Sequence, residues 1–520
     1  METNEAGSTM NGMAIRHAEI LTMNSQQPRA EAMAVREGRI VTVGSWPEVA
    51  PQAKGLPVLD LAGKTVVPGL IDTHAHFLWT ALSLAALDVS GGEDHPALQA
   101  ILRRAIADTP RGELVFGMGF TEYALDTERH SPILETLDAV APDNPVYLMG
   151  VTGHLSAANS RALEFLAMAD DTPGIMRDAN GRPNGLLADK ANNLAWDSFS
   201  LVFGAKAQVG EMIALAAEKA LSVGLTTLHA LEGGSTSEDE AIIDLLAAMP
   251  TLPLRLVLYY QTMDVNRVVE LGLPRIGGCI LLDGDVGPHT AALSEPYLDD
   301  PTCYGTLYHP QEEISAFVLK AHQAGLQVAM HAVGDAAVEQ ALNAYEAALT
   351  ALPRGDHRHR IEHCEIIREE QIQWAQRLGV ALAIQPPFNL YWPHTTYYPT
   401  LGEERAWKAD PVRRLLRPGL LVAGGSDSTV TPLGPLIGVH AAVNHSNPAE
   451  QVSVQEGLEL YTLNAARIGF EEHDKGSLEA GKLGDFVVLA QDPFRVEPGH
   501  IKDIPVEITV VGGNVVYQRA

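Results

Sequence analysis

His74 and His76 close the segment Pro68-Gly-Leu-Ile-Asp-Thr-His-Ala-His76, two residues apart at the end of an apolar run. Side chains two apart in a strand point to the same side, so a strand ending here feeds both imidazoles into one space. Two neutral imidazoles converging in this way are the usual start of a divalent-metal site. Taken alone, His-x-His fits a polar strand-to-loop turn equally well. The rest of the chain separates the two readings.

Four further segments place a metal-competent side chain at or near a short apolar run: Val328-Ala-Met-His331, Arg360-Ile-Glu-His363, Ala423-Gly-Gly-Ser-Asp427 and Gly278-Cys279-Ile-Leu-Leu-Asp283. Eight such runs follow one another, at Val66–Asp72, Leu225–His229, Leu254–Tyr259, Cys279–Asp283, Gln327–His331, His359–His363, Ala381–Ile384 and Leu421–Ser426. Helix-like stretches separate most of them. Eight strand-then-helix units predict an α/β chain folded as a (β/α)8 TIM barrel, whose chemistry gathers at the carboxyl ends of its strands. The expected ligands then lie on strands one, four, five, six and eight.

The fragments HAVGDAAVEQALNAYE, HRIEHCEII, GGSDSTVTPLGPLIGVHAAV, LYTLNAARIGF and KGSLEAGKLGDFVVLAQDPF resemble the amidohydrolase superfamily, and within it amidohydrolase family 3, the branch containing N-substituted formamide deformylases. The resemblance runs from about Ala14 to Val516. It implies a metal-dependent hydrolase whose barrel uses one or two divalent ions, zinc first among them, to activate water against amide-like bonds. His74, His76, His331 and His363 match the family's histidine ligands. Asp427 matches the aspartate that binds metal and takes a proton from the attacking water, roles a carboxylate can combine.

The fourth strand departs from the family pattern. Members usually read Lys-Leu-Phe-Ala-Asp-Gly-Ser-Leu-Gly here, with a carboxylated lysine bridging two metals. Aligning Asp283-Gly284 with that Asp-Gly puts Cys279 where the lysine would stand. A thiolate is a strong soft ligand for zinc and can bridge two ions, so Cys279 is expected to ligate. The rival expectation is a small buried filler beside a single-metal site.

Other residues are candidates to hold substrate. His154 lies in a segment resembling the family's Ser-Gly-His, His289 stands where an arginine is more usual, and His229 ends the second predicted strand. Trp79 follows the histidine pair, and Tyr391 and Trp392 sit in an aromatic-dense stretch after the seventh run. Aromatics at a barrel mouth suit a small apolar or aromatic substrate, and a neutral amide, N-acyl or N-formyl compound is the expected class. A deaminase or a lactone or ester hydrolase could use the same centre, and a non-catalytic metal-binding barrel is a third reading. An aspartate poised as proton acceptor argues against the last.

The elements that must position these residues extend beyond the barrel. About a hundred and fifty residues separate the first two barrel strands, far more than one crossover helix needs. Residues 80–205 therefore read as an inserted α/β subdomain within a barrel spanning 66–474. Hairpin signals at both ends, with Gly512-Gly513 as one two-residue turn, predict that 13–65 and 475–520 pair as one β-sandwich, because isolated hairpins are barely stable. Residues 1–12 are expected to be disordered.

At 520 residues and 46% apolar, the chain can bury a large core. Its net charge of -29 argues against nucleic-acid or anionic-membrane partners. Only three cysteines occur, too scattered for a disulfide framework. With no apolar run approaching a membrane span, the expected setting is the cytoplasm. The expected partner is a small-molecule substrate, and a homo-oligomer is compatible with the sequence.

Overall fold

The computed structural model describes residues 12–92, 94–121, 133–151, 153, 155–169, 171–206, 209–233 and 236–520. Eight parallel strands pair in chain order: β1 (Leu70–Ala75), β2 (Leu225–Glu232), β3 (Arg255–Tyr260), β4 (Arg275–Leu281), β5 (Gln327–Ala332), β6 (Arg360–His363), β7 (Ala381–Ile384) and β8 (Val422–Gly424). The last meets the first through Asp427 N–H donating to the His74 carbonyl at 2.7 Å and His76 N–H to the Ser428 carbonyl at 2.9 Å. The sheet is thus closed by the very residues expected to hold metal. Helices form the outer layer. The helix between β5 and β6, Asp335–Ala351, buries Val338, Ala341, Leu342 and Tyr345 on one face, and the Tyr345 hydroxyl donates to the Arg360 carbonyl of β6 at 2.8 Å.

The run read as Val66–Asp72 is two strands, broken at Gly69. Thr65–Pro68 pairs antiparallel with Phe486–Leu489, and β1 begins only at Leu70. A Cβ at Gly69 would lie 2.2 Å from Thr226 Oγ1, so only glycine lets the chain cross from one sheet to the other here. Thr65–Pro68 belongs to a six-stranded sheet that also holds Glu19–Leu21, Arg29–Ala30, Val506–Val511 and Asn514–Gln518. A four-stranded sheet of Gly12–Arg16, Ala32–Arg36, Arg39–Gly44 and Val58–Asp60 shares a core with it through Met13, Ile15, Val35, Phe486 and Val510. Gly12 is already paired with Arg36, while 1–11 lie outside the described residues.

Between β1 and β2 a mixed six-stranded sheet, from Leu87–Asp88 to Pro183–Ala188, carries its own apolar core around Leu102, Phe120, Leu137 and Leu148. Its last helix, Asp189–Lys206, returns to the barrel and buries Trp196 and Phe199 in the main core. No helix among the described residues is long and apolar enough to cross a membrane.

At the amino ends of β5 and β6 three histidines form a closed hydrogen-bond chain. His322 Nε2 donates to the Leu352 carbonyl (2.7 Å), so its Nδ1 accepts from His359 Nε2 (2.8 Å). His359 Nδ1 in turn accepts from Val328 N–H, and His359 N–H donates to His357 Nδ1. His359 thus has one ring nitrogen donating and the other accepting, the pattern of a neutral imidazole. Burial, reinforced by neighbouring positive groups, pushes His359 well below the usual imidazole range, and burial also lowers His357. The unfolded chain protonates His357 and His359 near pH ~6.5 while the fold holds both lower, so their contribution is full above that pH and is lost as pH falls. The melting temperature should fall between pH 7.5 and 5.5 less steeply in His359→Gln than in the parent chain. Equal slopes in the two proteins would remove this chain as the cause.

Candidate metal centre

β1 delivers His74 and, just past its end, His76. His74 Nδ1 donates to Glu362 Oε2 at 2.7 Å and His76 Nδ1 to the Leu231 carbonyl at 2.9 Å, so both rings turn Nε2 toward the barrel axis. β4 contributes Cys279 through a bulge. Gly277 and Gly278 adopt φ of 91° and 105°, and a Cβ on Gly277 would lie 2.0 Å from the Ala329 carbonyl oxygen. The register with β5 shifts after this pair, which aims the next side chain inward.

Cys279 Sγ stands 3.4 Å from His74 Nε2 and 3.8 Å from His76 Nε2, with a ring nitrogen of His363 within 4.8 Å, and His331 lines the same cavity. Asp427, in the left-handed conformation directly after β8, brings Oδ1 to 3.3 Å from His74 Nε2 and 3.2 Å from His76 Nε2, without the alignment of a hydrogen bond. His363 also has positive φ, 75°, and packs its ring 4.3 Å from His331 and 4.8 Å from His74. His331 Nε2 donates to the Gly284 carbonyl at 3.2 Å, which leaves Nδ1 as its nitrogen for the centre.

Beneath the centre, Arg360 and Glu362 form a fully buried ion pair. Arg360 also donates to the Thr73 carbonyl at 2.6 Å and to His229 Nδ1 at 3.1 Å. Burial pushes the Glu362 carboxyl up, but the Arg360 guanidinium and the His74 hydrogen bond outweigh it, so Glu362 stays ionised and fixes His74. At the rim, Glu232 accepts from the Phe77 backbone N–H and, at 3.3 Å, from that of Leu78. It thereby caps the helix Phe77–Ala85, whose N-cap residue is His76.

The centre is charged as well as crowded. Burial raises the Cys279 thiol, yet the charges of His74 and His76 beside it bring it well below the usual thiol range. Burial likewise opposes the charge of Asp427, and the same two histidines hold its carboxyl well below the usual range. His74 and His76 move the opposite way. Burial lowers them, but Cys279 and Asp427 carry them well above the usual imidazole range. Two imidazolium charges between a thiolate and a carboxylate occupy the place where a divalent cation would put its own two charges.

Donor chemistry agrees. Donor atoms of His74, Cys279 and His363, and of His74, His76 and Asp427, each lie within 4.8 Å of one another. Both ring nitrogens of buried His363, and Oδ1 of Asp427, lack a hydrogen-bond partner. Such buried groups cost about 1–3 kcal/mol each, a cost that ligation removes. Imidazole, thiolate and carboxylate donors in this ratio fit a borderline-soft divalent ion. A cavity of about 230 Å3 opens above them, lined by His76, Cys279, His331, His363 and Asp427 on its floor and by Trp79, Trp196, Asp197 and Glu232 on its wall.

The profile of the amidohydrolase family matches residues 57–517. The chain belongs to that family. YtcJ of Bacillus subtilis (strain 168) is 31% identical to this amidohydrolase, over 96% of the chain and 98% of its own length. An N-substituted formamide deformylase from Arthrobacter pascens is 28% identical, over 98% and 99%. The crystal structure of an uncharacterized metal-dependent hydrolase from Pyrococcus horikoshii OT3 superposes with a TM-score of 0.76 at 25% identity, covering 94% of this chain and 99% of that one.

In this amidohydrolase His74, His76, Cys279, His331, His363 and Asp427 come together, and Trp79 stands beside them with its ring 5.1 Å from that of His76. His229, His289, Tyr391 and Trp392, also expected to contact substrate, do not line the cavity. His229 is buried within the barrel below it, held neutral by burial and by Arg360. His289 binds Asp299 at 2.8 Å and lies against Tyr297. Tyr391 and Trp392 sit outward, and Phe388 is the aromatic of their stretch that stacks on His363. His154 lies outside the described residues. Glu362, Glu232, Trp196 and Asp197 were not singled out by the sequence reading.

Proposed function

We propose that this protein hydrolyses a carbon–nitrogen bond in a small amide, N-acyl or N-formyl compound, using one or two divalent ions held by His74, His76, His331, His363 and Asp427, with Cys279 in the bridging position. Cys279 and Asp427 converging on His74 and His76, with a His363 nitrogen within 4.8 Å of the sulfur, is the observation that carries the proposal. Zinc is the first choice because imidazole and thiolate dominate the donor set. When bound, the metal supplies a Lewis acid that polarises the carbonyl and lowers the pKa of the attacking water.

The chain's own residues do the rest. The Asp427 carboxylate accepts the proton of the attacking water and returns it to the departing nitrogen. Glu362 keeps His74 in one tautomer and one orientation, and Arg360 keeps Glu362 charged. Trp79 and Trp196 exclude water from the cavity wall and offer apolar faces to the substrate. The similarity to a formamide deformylase favours N-formyl substrates first.

The test is a screen of zinc-loaded protein against N-formyl, N-acyl, lactone and aminopurine compounds. Release of an amine from the N-formyl or N-acyl set is the expected result. Ammonia from the aminopurines would make the protein a deaminase, and no turnover on any set would contradict a hydrolase. Glu362→Gln should weaken metal affinity by about 10- to 100-fold, measured by competition with a chelator, because the amide cannot hold His74 as the carboxylate does. Unchanged affinity would show that Glu362 serves only Arg360.

A further inference from the structure

The first turn of the helix Asp189–Lys206 holds a buried polar side chain that local structure does not account for. Asn192 is 2% exposed and donates through Nδ2 to the Gly153 carbonyl at 2.8 Å, while among the described residues its Oδ1 has no hydrogen-bond partner. Asparagine favours caps and turns over the body of a helix, and a buried oxygen left unpaired costs stability. The brace to Gly153 explains the amide nitrogen. It leaves the oxygen unexplained.

Asn192 lines a second chamber of about 360 Å3, which adjoins the cavity over the metal centre through Asn193 and Leu281. Leu281 lies two residues beyond Cys279 on β4, about 7 Å along the strand, so one small molecule can ligate at the centre and reach this chamber. Of the other residues lining it, Thr290 is already committed, its hydroxyl donating to the Asp285 carbonyl at 3.2 Å and accepting from the Asp285 N–H at 2.9 Å. Pro288 has no polar side-chain atom, and the Lys190 side chain offers only donors.

From the unpaired oxygen we infer that the substrate carries, on the arm that does not react, a neutral hydrogen-bond donor, an amide N–H or a hydroxyl, which Asn192 Oδ1 receives. The inference deepens the hydrolase reading and rests on it only in calling the ligand a substrate. A donor placed here removes the cost of the unpaired oxygen, whereas an arm ending in acceptors alone, an ester or a carboxylate, sets its lone pairs against it. An ammonium end also donates, but it gives up its hydration on entry and meets the like charge of Lys190. The class that fits is an N-formyl or N-acyl compound with a second, unreacting amide or hydroxyl about 7 Å from the carbonyl attacked.

The test is binding, which needs no turnover. Three monohydroxamates of adipic acid share a metal-seeking head and a linker of suitable reach, and end in a primary amide, a methyl ester or a free carboxylate. Each is titrated into the zinc-loaded protein by calorimetry. The amide is expected to bind at least about tenfold more tightly than the ester or the carboxylate. Asn192→Leu should bring the amide to within about twofold of the ester and leave the ester's own affinity in place. Equal affinities in the parent chain would overturn the inference and leave the metal centre standing. A carboxylate that binds best and loses its lead in Lys190→Met would overturn it in favour of an anion site, and Asn192→Leu weakening all three alike would reduce Asn192 to a brace for Gly153. Binding of none of the three would defeat the metal centre and the inference together. An amide preference in protein that hydrolyses none of the N-formyl or N-acyl compounds would defeat the hydrolase reading and leave the Asn192 site standing.

Discussion

Asp427→Asn is expected to lower turnover by roughly three or more orders of magnitude while leaving most of the metal in place, the pattern of losing a general base and a charged metal partner together. The amide is nearly the same size, so the backbone bonds that close the barrel here, Asp427 N–H to the His74 carbonyl and His76 N–H to the carbonyl of neighbouring Ser428, remain. An amide oxygen still ligates weakly, but it cannot take a proton at neutral pH. Single-turnover rates and elemental analysis on the same preparation separate the two effects. Turnover near that of the parent chain would remove Asp427 from the chemistry.

Cys279→Ala is expected to cost about one metal ion per chain and most of the activity. Volume gives it no such importance, since alanine fills much of the same space and a packed cysteine is replaced at small cost. Contact does, because the sulfur lies against His74 and His76 and near His363, and the two histidines of β1 stabilise its thiolate. In the loaded protein Cys279 should resist thiol reagents and become reactive after chelation, which separates it from Cys303 and Cys364. Full metal content and activity in Cys279→Ala would return the site to a single-metal design in which the thiol only packs.

The barrel and the convergence of the donor side chains were legible in the sequence because both follow from short-range rules. Period-two spacing put His74 and His76 on one side, and apolar runs ending in histidine, cysteine or aspartate marked strands four, five, six and eight. What the sequence hid was the backbone departing from those rules. Neighbours in a strand face opposite ways, so Glu362 beside His363 reads as a residue turned away from the site. Positive φ at His363 breaks the alternation and lets both side chains serve the centre. Gly277-Gly278 likewise reads as a weak strand until the bulge that aims Cys279 is seen. His229 lies away from the cavity because β2 runs on to Glu232, which sets His229 about 10 Å lower in the barrel at ~3.3 Å per residue. The aromatic stretch after β7 showed its composition but not its facing. Only Phe388 turns to His363.

The central claim, that these imidazoles and one thiolate hold the metal, is tested most directly by X-ray absorption at the zinc edge of the fully loaded protein. The account predicts imidazole scattering at about 2.0–2.1 Å together with a sulfur shell at about 2.3 Å, the sulfur vanishing in Cys279→Ala. A spectrum of oxygen scatterers alone, with neither imidazole nor sulfur and no change in the variant, would place the metal elsewhere and contradict it.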